Sequence, residues 1–214
     1  MSDITLYTHP YSRGRIARWM LEEVGVPYTV EVKEWAAMKA PEYLAINPMG
    51  KVPALTHGNL IVTEVAAICA YLADQFPEKG LAPAPGSPER GSYYRWLFFV
   101  AGPLEMATTA KAYDWRIDAD NVTAVGCGYH ADTVNTLESA LKQSPYLCGD
   151  TFTTADLLAG SYIGWEMMQK NLEERPVFKD YVQRVESRPA ARRANELDDA
   201  LLEEPALNRP PKTG

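Results

Sequence analysis

The pattern of apolar residues changes once along this chain, at a proline-rich stretch, and that change limits the possible folds. Residues 1–76 alternate short β-branched runs with segments of helical periodicity. Residues 77–88 (PEKGLAPAPGSP) are rich in proline and glycine, which is typical of a linker. From residue 89 onward only helical patterns occur. The sequence therefore predicts an α/β domain at 1–76, a linker at 77–88 and an all-helical domain at 89–214.

The first half contains two pairs of predicted strands and two clear helices. Residues 4–7 and 28–32 are strand-like and flank a helix that ends at Gly25. Residues 52–55 and 60–62 flank a His-Gly-Asn hairpin turn. A helix is predicted to follow from Glu64 to about Phe76. The expected order is β-α-β-α-β-β-α, and its strand–helix–strand start implies a parallel pair.

The second half reads as a set of helices. Pro103 falls inside the first and should kink it, because proline lacks a backbone donor. Thr153 and Asp156 have the spacing of a capping box, which we interpret as structural. Residues 203–214 contain three prolines and are predicted to be irregular. The predicted helices lie near residues 89–115, 121–143, 154–170, 176–187 and 189–202.

Composition excludes several classes of protein. The net charge of −7 argues against non-specific binding to nucleic acid or to an anionic membrane. No stretch is long and apolar enough to span a bilayer, and the first residues do not resemble a signal peptide, so a cytoplasmic protein is expected. The three cysteines are widely separated and the chain has only three histidines. A disulfide framework or a metal site is therefore not expected.

Three segments of the first half, taken together, resemble the soluble, cytosolic glutathione S-transferases. They are TLYTHPYSRGRIARWMLEE (5–23), NPMGKVPAL (47–55) and the helix start EVAAI (64–68). The first segment is similar to that of bacterial or plant phi-like members that use a serine. The resemblance implies a thioredoxin-like N-terminal domain and an all-α C-terminal domain. It also implies glutathione as co-substrate, no metal, and a homodimer.

The chemistry expected from the resemblance centres on a thiol. Glutathione must ionise to become a good nucleophile, and a hydroxyl aimed at the sulfur favours the thiolate. Ser12 lies at the mouth of the first helix, in a segment where thioredoxin-like oxidoreductases carry two cysteines that this chain lacks. Ser12 is thus the candidate catalytic hydroxyl, although it could simply cap the helix. Tyr7, used in other branches of the family, and Tyr11 are the alternatives.

The resemblance assigns four residues to the peptide part of glutathione. Val52-Pro53 is expected to carry a cis peptide bond, which would leave the N–H and C=O of Val52 to pair with the cysteinyl backbone. Glu64 would hold the γ-glutamyl ammonium. The family usually has a serine next, and here that residue is Val65, so only the backbone N–H and helix N-terminus remain for the γ-glutamyl carboxylate.

The remaining site predictions concern charges and a second pocket. Lys39 and Lys51 are candidates for the glycine carboxylate, and either could equally be a solvated surface charge. The pocket for a small hydrophobic electrophile is expected to draw on helical-domain residues that share an apolar stripe, together with the loop tyrosine. Its candidates are Tyr11, Met106, Ala110, Tyr113 and Trp165.

Three functions remain open from the sequence. The first is conjugation of glutathione thiolate to small electrophiles, with detoxification as the expected role. The second is a glutathione-dependent peroxidase or isomerase that uses the same site. The third is a non-catalytic binding module, which the loss of the serine at Val65 allows. The aromatic residues between 93 and 99 favour a symmetric dimer, since one helix cannot readily bury so many.

Overall fold

The computed structural model describes residues 3–207, apart from the side chain of Ala206. The chain separates into two compact units, described in turn below. The first contains the residues up to Lys79 together with those from Arg188 onward, and the second runs from Gly80 to Ser187. Within residues 3–207, no helix combines the length and apolar character that crossing a membrane requires.

The first unit is built on a four-stranded mixed sheet. Its strands are β1 (Ile4–Thr8), β2 (Thr29–Val32), β3 (Ala54–His57) and β4 (Leu60–Thr63). They lie in the order β2-β1-β3-β4, with β1 parallel to β2 and the other neighbours antiparallel. Helices α1 (Gly14–Val24), α2 (Pro41–Leu44) and α3 (Val65–Gln75) complete the predicted order, and the thioredoxin-like topology is confirmed.

The last helix of the chain belongs to this first unit, which differs from the predicted boundary at 89–214. Helix α9 (Pro189–Asp199) packs along α1. Arg18 Nε and Asp198 Oδ1 lie 2.9 Å apart in a buried ion pair. The guanidinium of Arg188 donates two hydrogen bonds to the carboxylate of Glu23, at 2.6 and 2.7 Å. These contacts join residues about 170 positions apart, so no local sequence pattern predicts them.

The second unit is entirely helical among its described elements. Helix α4 (Pro88–Phe99) passes through a single π-helical turn (Val100–Leu104) into α5 (Glu105–Ala112). The turn contains Pro103, so the predicted kink takes the form of a widened turn that accommodates the missing backbone donor. Three further helices are α6 (His130–Leu141), α7 (Thr154–Met168) and α8 (Pro176–Glu186).

The helix predicted over 121–143 begins nine residues later, at His130, and that part of the prediction is wrong. Residues 113–129 form a chain of turns instead. Asn121 accepts from the N–H of Asp118 and donates to the carbonyl of Arg116, which competes with helical bonding. Gly128 then takes a left-handed conformation with φ +61° directly before the helix.

The capping box at the start of α7 is present. The N–H of Thr153 donates to Asp156 Oδ2 at 2.8 Å. The other carboxylate oxygen accepts from the N–H of Leu147 and from the hydroxyl of Tyr181. Burial raises the pKa of Asp156, and these four hydrogen bonds, including one from the Thr153 hydroxyl, oppose that shift. The structural interpretation of the box is consistent with this buried network.

Candidate active site

The register of the sheet brings the three motif segments to one edge. Tyr7 of β1 and Thr63 of β4 both pair with Ala54 at the start of β3. The segment after β1, the Val52-Pro53 bond before β3, and Glu64 after β4 therefore emerge side by side. Because the backbone register alone sets these positions, the three segments lie together whatever their side chains are.

Ser12 occupies a tight turn between β1 and α1. Its Oγ accepts a hydrogen bond from the N–H of Gly14, the first residue of α1, at 2.9 Å. Its hydroxyl donates to the carbonyl of His9 at 2.7 Å. The side chain is partly exposed. Ser12 thus contacts the helix N-terminus as a capping residue does. Its hydroxyl donates its hydrogen bond to a backbone carbonyl of the same turn.

Gly14 makes this approach possible. A Cβ atom at position 14 would lie 1.9 Å from Thr8 Oγ1 and 2.9 Å from Ser12 Oγ. Any larger residue would push the start of α1 away from the end of β1, because atoms at these distances overlap. The close packing of the helix N-terminus on the strand therefore depends on glycine at this position.

His9 belongs to the same turn and was not among the predicted site residues. Its side chain is fully buried, and its ring packs at a tilt of 44° against that of Trp35, with centroids 4.2 Å apart. Nδ1 accepts a hydrogen bond from the N–H of Tyr11 at 3.2 Å. A polar side chain two residues before a turn N–H is a recognisable signal in sequence, although it is usually associated with Asn or Asp.

The segment Asn47–Pro53 is held by a set of local contacts. Asn47 Oδ1 accepts from the N–H of Met49, and its Nδ2 donates to the carbonyl of Lys51. The hydroxyl of Tyr43 donates to the same carbonyl at 2.7 Å. Gly50 has φ +58°, and a Cβ there would lie 2.6 Å from the carbonyl oxygen of Met38. Sequence reasoning missed Asn47, although an Asn-Pro pair is a turn signal.

The Val52-Pro53 peptide bond is cis, as predicted. Pro53 is buried and Val52 is partly exposed. Lys51 beside them is exposed, and its carbonyl receives the two hydrogen bonds just described. Lys39 is also exposed, and its Nζ donates to the carbonyl of Met49 at 2.8 Å. Both predicted lysines therefore border this loop, and Lys39 stabilises it directly.

Glu64 has an unusual backbone conformation. It lies between β4 and α3 with φ 65° and ψ 118°, a region that residues with a Cβ rarely occupy. Its side chain is exposed. Val65 is the first residue of α3, and only 7% of its surface is accessible. The strain at Glu64 turns the chain so that the carboxylate faces solvent at the N-terminus of the helix.

Tyr7 lies in the core of the sheet. It is buried in a cluster with Met38, Tyr43 and Ala54, and its ring centroid lies 5.9 Å from that of Tyr43. The ammonium of Lys33 sits 5.2 Å from the centre of the Tyr7 ring. Burial, and secondarily the neighbouring Tyr7, raise the pKa of Tyr43 to about 12. These contacts are those of a core tyrosine.

The residues predicted for the second pocket fall in both units. Tyr11 is partly exposed in the turn of the first unit. In the helical unit, Met106, Tyr113 and Trp165 are exposed, and Ala110 is buried with 4% accessible surface. Ala110 therefore presents little surface to a ligand within its own unit. Met106, Tyr113 and Trp165 each present an exposed side chain.

Metal chemistry finds no obvious donor set here. Among residues 3–207, no group of three or more His, Cys, Asp and Glu side chains is arranged to hold a metal ion. The three cysteines are free. Burial raises the pKa of the Cys69 thiol well above its usual value, so this thiol stays protonated at neutral pH.

The architecture is that of a two-domain protein with a thioredoxin-like domain and a helical domain, and comparisons with known proteins identify its family. The profile for the glutathione S-transferase N-terminal domain matches residues 2–74, and that for the C-terminal domain matches residues 129–189. Similar proteins include glutathione S-transferase GstA of Escherichia coli O157:H7, which is 29% identical over 93% of this chain and 98% of that protein.

Two further comparisons agree. Glutathione S-transferase GST-4.5 of Xanthomonas campestris is 30% identical over 75% of this chain and 81% of that protein. A theta-class glutathione S-transferase from Xanthomonas axonopodis, solved with glutathione bound, is 30% identical with a TM-score of 0.72, over 91% of this chain and 97% of that one. This chain belongs to the glutathione S-transferase family.

Proposed function

We propose that the protein conjugates glutathione to small hydrophobic electrophiles and that Ser12 stabilises the reacting thiolate. The observation that carries this proposal is the position of the Ser12 hydroxyl. It lies at the N-terminus of α1, on the edge of the sheet where the cis Val52-Pro53 bond and Glu64 also emerge. The comparisons support glutathione conjugation and do not favour the peroxidase, isomerase or non-catalytic alternatives.

The peptide part of glutathione would bind through the backbone of Val52 and the ends of the site. The N–H and C=O of Val52 pair with the cysteinyl backbone as an added strand would. The Glu64 carboxylate receives the γ-glutamyl ammonium, and the N–H of Val65 at the start of α3 receives the γ-glutamyl carboxylate. The exposed position of Glu64 and its strained backbone support this assignment.

The glycine carboxylate would be held by Lys39 and Lys51. An ammonium group has three donors, so Lys39 can keep its bond to the carbonyl of Met49 and still reach a ligand. Lys51 extends from the same loop. Together the two lysines would balance the negative charge that glutathione carries into a protein of net charge −7.

The chemical step needs the thiol to lose its proton to solvent water before the attack. An unperturbed thiol has a pKa near 8.5, so little thiolate forms at neutral pH without help. When glutathione binds, the Ser12 hydroxyl would turn from the carbonyl of His9 to the sulfur, while the Gly14 N–H stays on Oγ and polarises it. The thiolate then forms a bond to the electrophilic carbon, and the leaving group departs with its electron pair.

The second substrate is proposed to be apolar. Tyr11 in the turn and Met106, Tyr113 and Trp165 in the helical unit offer exposed apolar surface. Such side chains bind a ligand mainly by removing apolar area from water, so they tolerate varied shapes. Tyr11 is proposed to contact this substrate from the turn, and Met106, Tyr113 and Trp165 are proposed for an apolar surface of the helical unit. Ala110 is the least exposed of the five.

The proposed assembly is a homodimer that works in the cytoplasm without nucleic acid, membrane or metal partners. Its support within the helical unit is the outer face of α4, where Phe98 is 75% exposed and Tyr94 is 44% exposed. Tyr93 and Trp96 are buried, so the aromatic segment is divided between core and surface. Within the first unit, the edge strand β4 exposes Leu60 and Ile61.

Calorimetry with glutathione, followed by a conjugation assay with an activated aryl chloride, tests this proposal. Binding of glutathione together with conjugate formation would support it. Binding without turnover on a panel of electrophiles and hydroperoxides would favour the binding-module alternative. Failure to bind glutathione would reject every function that depends on this site.

A further inference from the structure

His9 accepts three hydrogen bonds from the turn that carries Ser12. Its Nδ1 accepts from the N–H of Tyr11 at 3.2 Å. Its carbonyl accepts from the N–H of Ser12 at 3.0 Å and from the Ser12 hydroxyl at 2.7 Å. A single residue therefore fixes two successive N–H groups and the candidate catalytic hydroxyl.

The bond to Tyr11 determines which nitrogen of the ring carries the proton. A nitrogen that accepts an N–H cannot itself be protonated, so the neutral ring must hold its proton on Nε2. Burial lowers the pKa of His9, and a weaker hydrogen-bond interaction with the backbone of Leu207 raises it. The neutral form is thus favoured at pH 7, and the acceptor at Nδ1 is preserved.

The ring has no freedom to abandon this position. It is fully buried and packs at a tilt of 44° against the ring of Trp35, and the ring of Tyr11 lies at a centroid distance of 5.9 Å. The contact runs from residue i to the N–H of residue i+2, which is the pattern of an Asx turn made by an imidazole. The buried ring therefore acts as a fixed support for the backbone of the turn.

We propose that His9 is a positioning residue for Ser12, and that it acts as a neutral imidazole whose Nδ1 holds the N–H of Tyr11. The proposal rests on the proposed role of Ser12 as the thiolate donor. His9 does not touch the thiol. It acts by fixing the Tyr11–Ser12 backbone, so that the hydroxyl has one starting position from which it turns to the sulfur.

Two substitutions separate the acceptor from the bulk of the ring. His9→Asn places a carbonyl oxygen where Nδ1 now lies and keeps the i to i+2 bond, although it loses the ring contact with Trp35. His9→Phe keeps an aromatic ring of similar size on Trp35 but has no acceptor. Both lose Nε2, so the pair differs in the feature that the proposal depends on.

The experiment measures kcat and the pH dependence of the ultraviolet absorbance of bound thiolate at saturating glutathione. We expect His9→Asn to keep the thiol pKa close to that of the wild type. We expect His9→Phe to raise the thiol pKa and to lower kcat roughly 10-fold, the change that goes with one lost hydrogen bond. If His9→Phe does not fold, His9→Gln takes its place, because its carbonyl lies one bond too far to accept from Tyr11.

Ser12→Ala is measured in parallel, alone and combined with His9→Phe. A positioning role predicts that the second change adds little once the Ser12 hydroxyl is gone. If Ser12→Ala leaves the thiol pKa unchanged, the proposed donor is wrong and the role of His9 falls with it. If Ser12→Ala raises the thiol pKa but His9→Phe does not, or if Asn and Phe lose activity equally, only the positioning proposal is overturned.

Discussion

Arg18 and Asp198 form a buried ion pair between α1 and α9, with Nε and Oδ1 2.9 Å apart and both side chains almost fully shielded from water. Removing one member leaves the other charged and without its partner in the interior, which typically costs about 3–5 kcal/mol. We therefore predict that Asp198→Ala lowers the free energy of unfolding by an amount in this range. Urea denaturation followed by circular dichroism measures it.

The neighbouring residue supplies the control. Asp199 pairs with Arg15 at 2.6 Å, but its side chain is 59% exposed. Exposed pairs contribute about 0–1 kcal/mol, so Asp199→Ala should have a small effect. Equal destabilisation by the two substitutions would show that α9 is held by its apolar contacts and not by the buried pair.

The second prediction concerns the hydroxyl that stabilises the thiolate. Ser12→Ala should raise the pKa of bound glutathione toward its solution value and reduce turnover on the order of 100-fold, the usual loss for one transition-state donor. Glutathione affinity should change little.

Tyr7→Phe should leave the pH profile unmoved, because Tyr7 lies in a core cluster. The measurement is thiolate absorbance against pH, with Ser12→Thr as the variant that retains a hydroxyl. A shifted profile in Tyr7→Phe with a normal one in Ser12→Ala would place the protein in the tyrosine branch.

The third prediction concerns the first residue of α3. Val65→Ser should tighten glutathione binding by at most roughly 10- to 150-fold, since a hydrogen bond to a charged group contributes about 1.5–3 kcal/mol at best. Val65 is buried, so the change should also cost some stability. Val65→Ala loses similar packing without adding a hydroxyl and serves as the control in calorimetry. Equal affinities for the Ser and Ala variants would mean that Thr63 or the backbone already satisfies the γ-glutamyl carboxylate.

The fourth prediction separates strain from binding at Glu64. With φ at 65°, replacement by glycine relieves a strain of order 1–3 kcal/mol and adds unfolded-state entropy of roughly 0.5–1 kcal/mol. Glu64→Gly should therefore be about 1 kcal/mol more stable than Glu64→Gln, which keeps the strain. Both should bind glutathione roughly 10-fold or more weakly, because each lacks the carboxylate. Thermal unfolding and calorimetry test the two halves, and a lower melting temperature for the glycine variant would show that the conformation carries no strain.

The fifth prediction concerns the assembly. If the outer face of α4 is a subunit contact, Phe98→Glu should convert a dimer to a monomer in light scattering at micromolar concentration, because it buries a charge in an apolar interface. Met168→Glu, at another exposed apolar residue, should leave the mass unchanged. A wild-type chain that is already monomeric would reject the dimer.

Much of the fold could be predicted because its elements carry local signals. The hairpin turn at residues 57–59 and the capping box of Thr153 with Asp156 each depend on a few adjacent residues. The start of α6 could not be predicted in this way, because the turn contacts of Asn121 compete with a helical pattern. The attachment of α9 to α1 depends on pairs such as Arg18 and Asp198, which the sequence separates by 180 residues.

The candidate site shows the same division. Ser12, Pro53 and Glu64 were predicted as site residues because short motifs mark them, and the sheet register explains why those motifs converge. His9 was not predicted, since the sequence does not show that this turn histidine is buried and bonded to the N–H of Tyr11. Asn47 was missed for a related reason. Its hydrogen bonds to Lys51 and Met49 are local, but its burial depends on residues distant in the sequence.

The return of α9 to the first unit also orders events during translation. The residues from Gly80 to Ser187 form a continuous unit that leaves the ribosome ahead of α9. The first unit, although its sheet is synthesised earliest, lacks the helix that covers α1 until residues beyond Arg188 have emerged. Until α9 emerges, the face of α1 that it covers in the folded protein stays exposed.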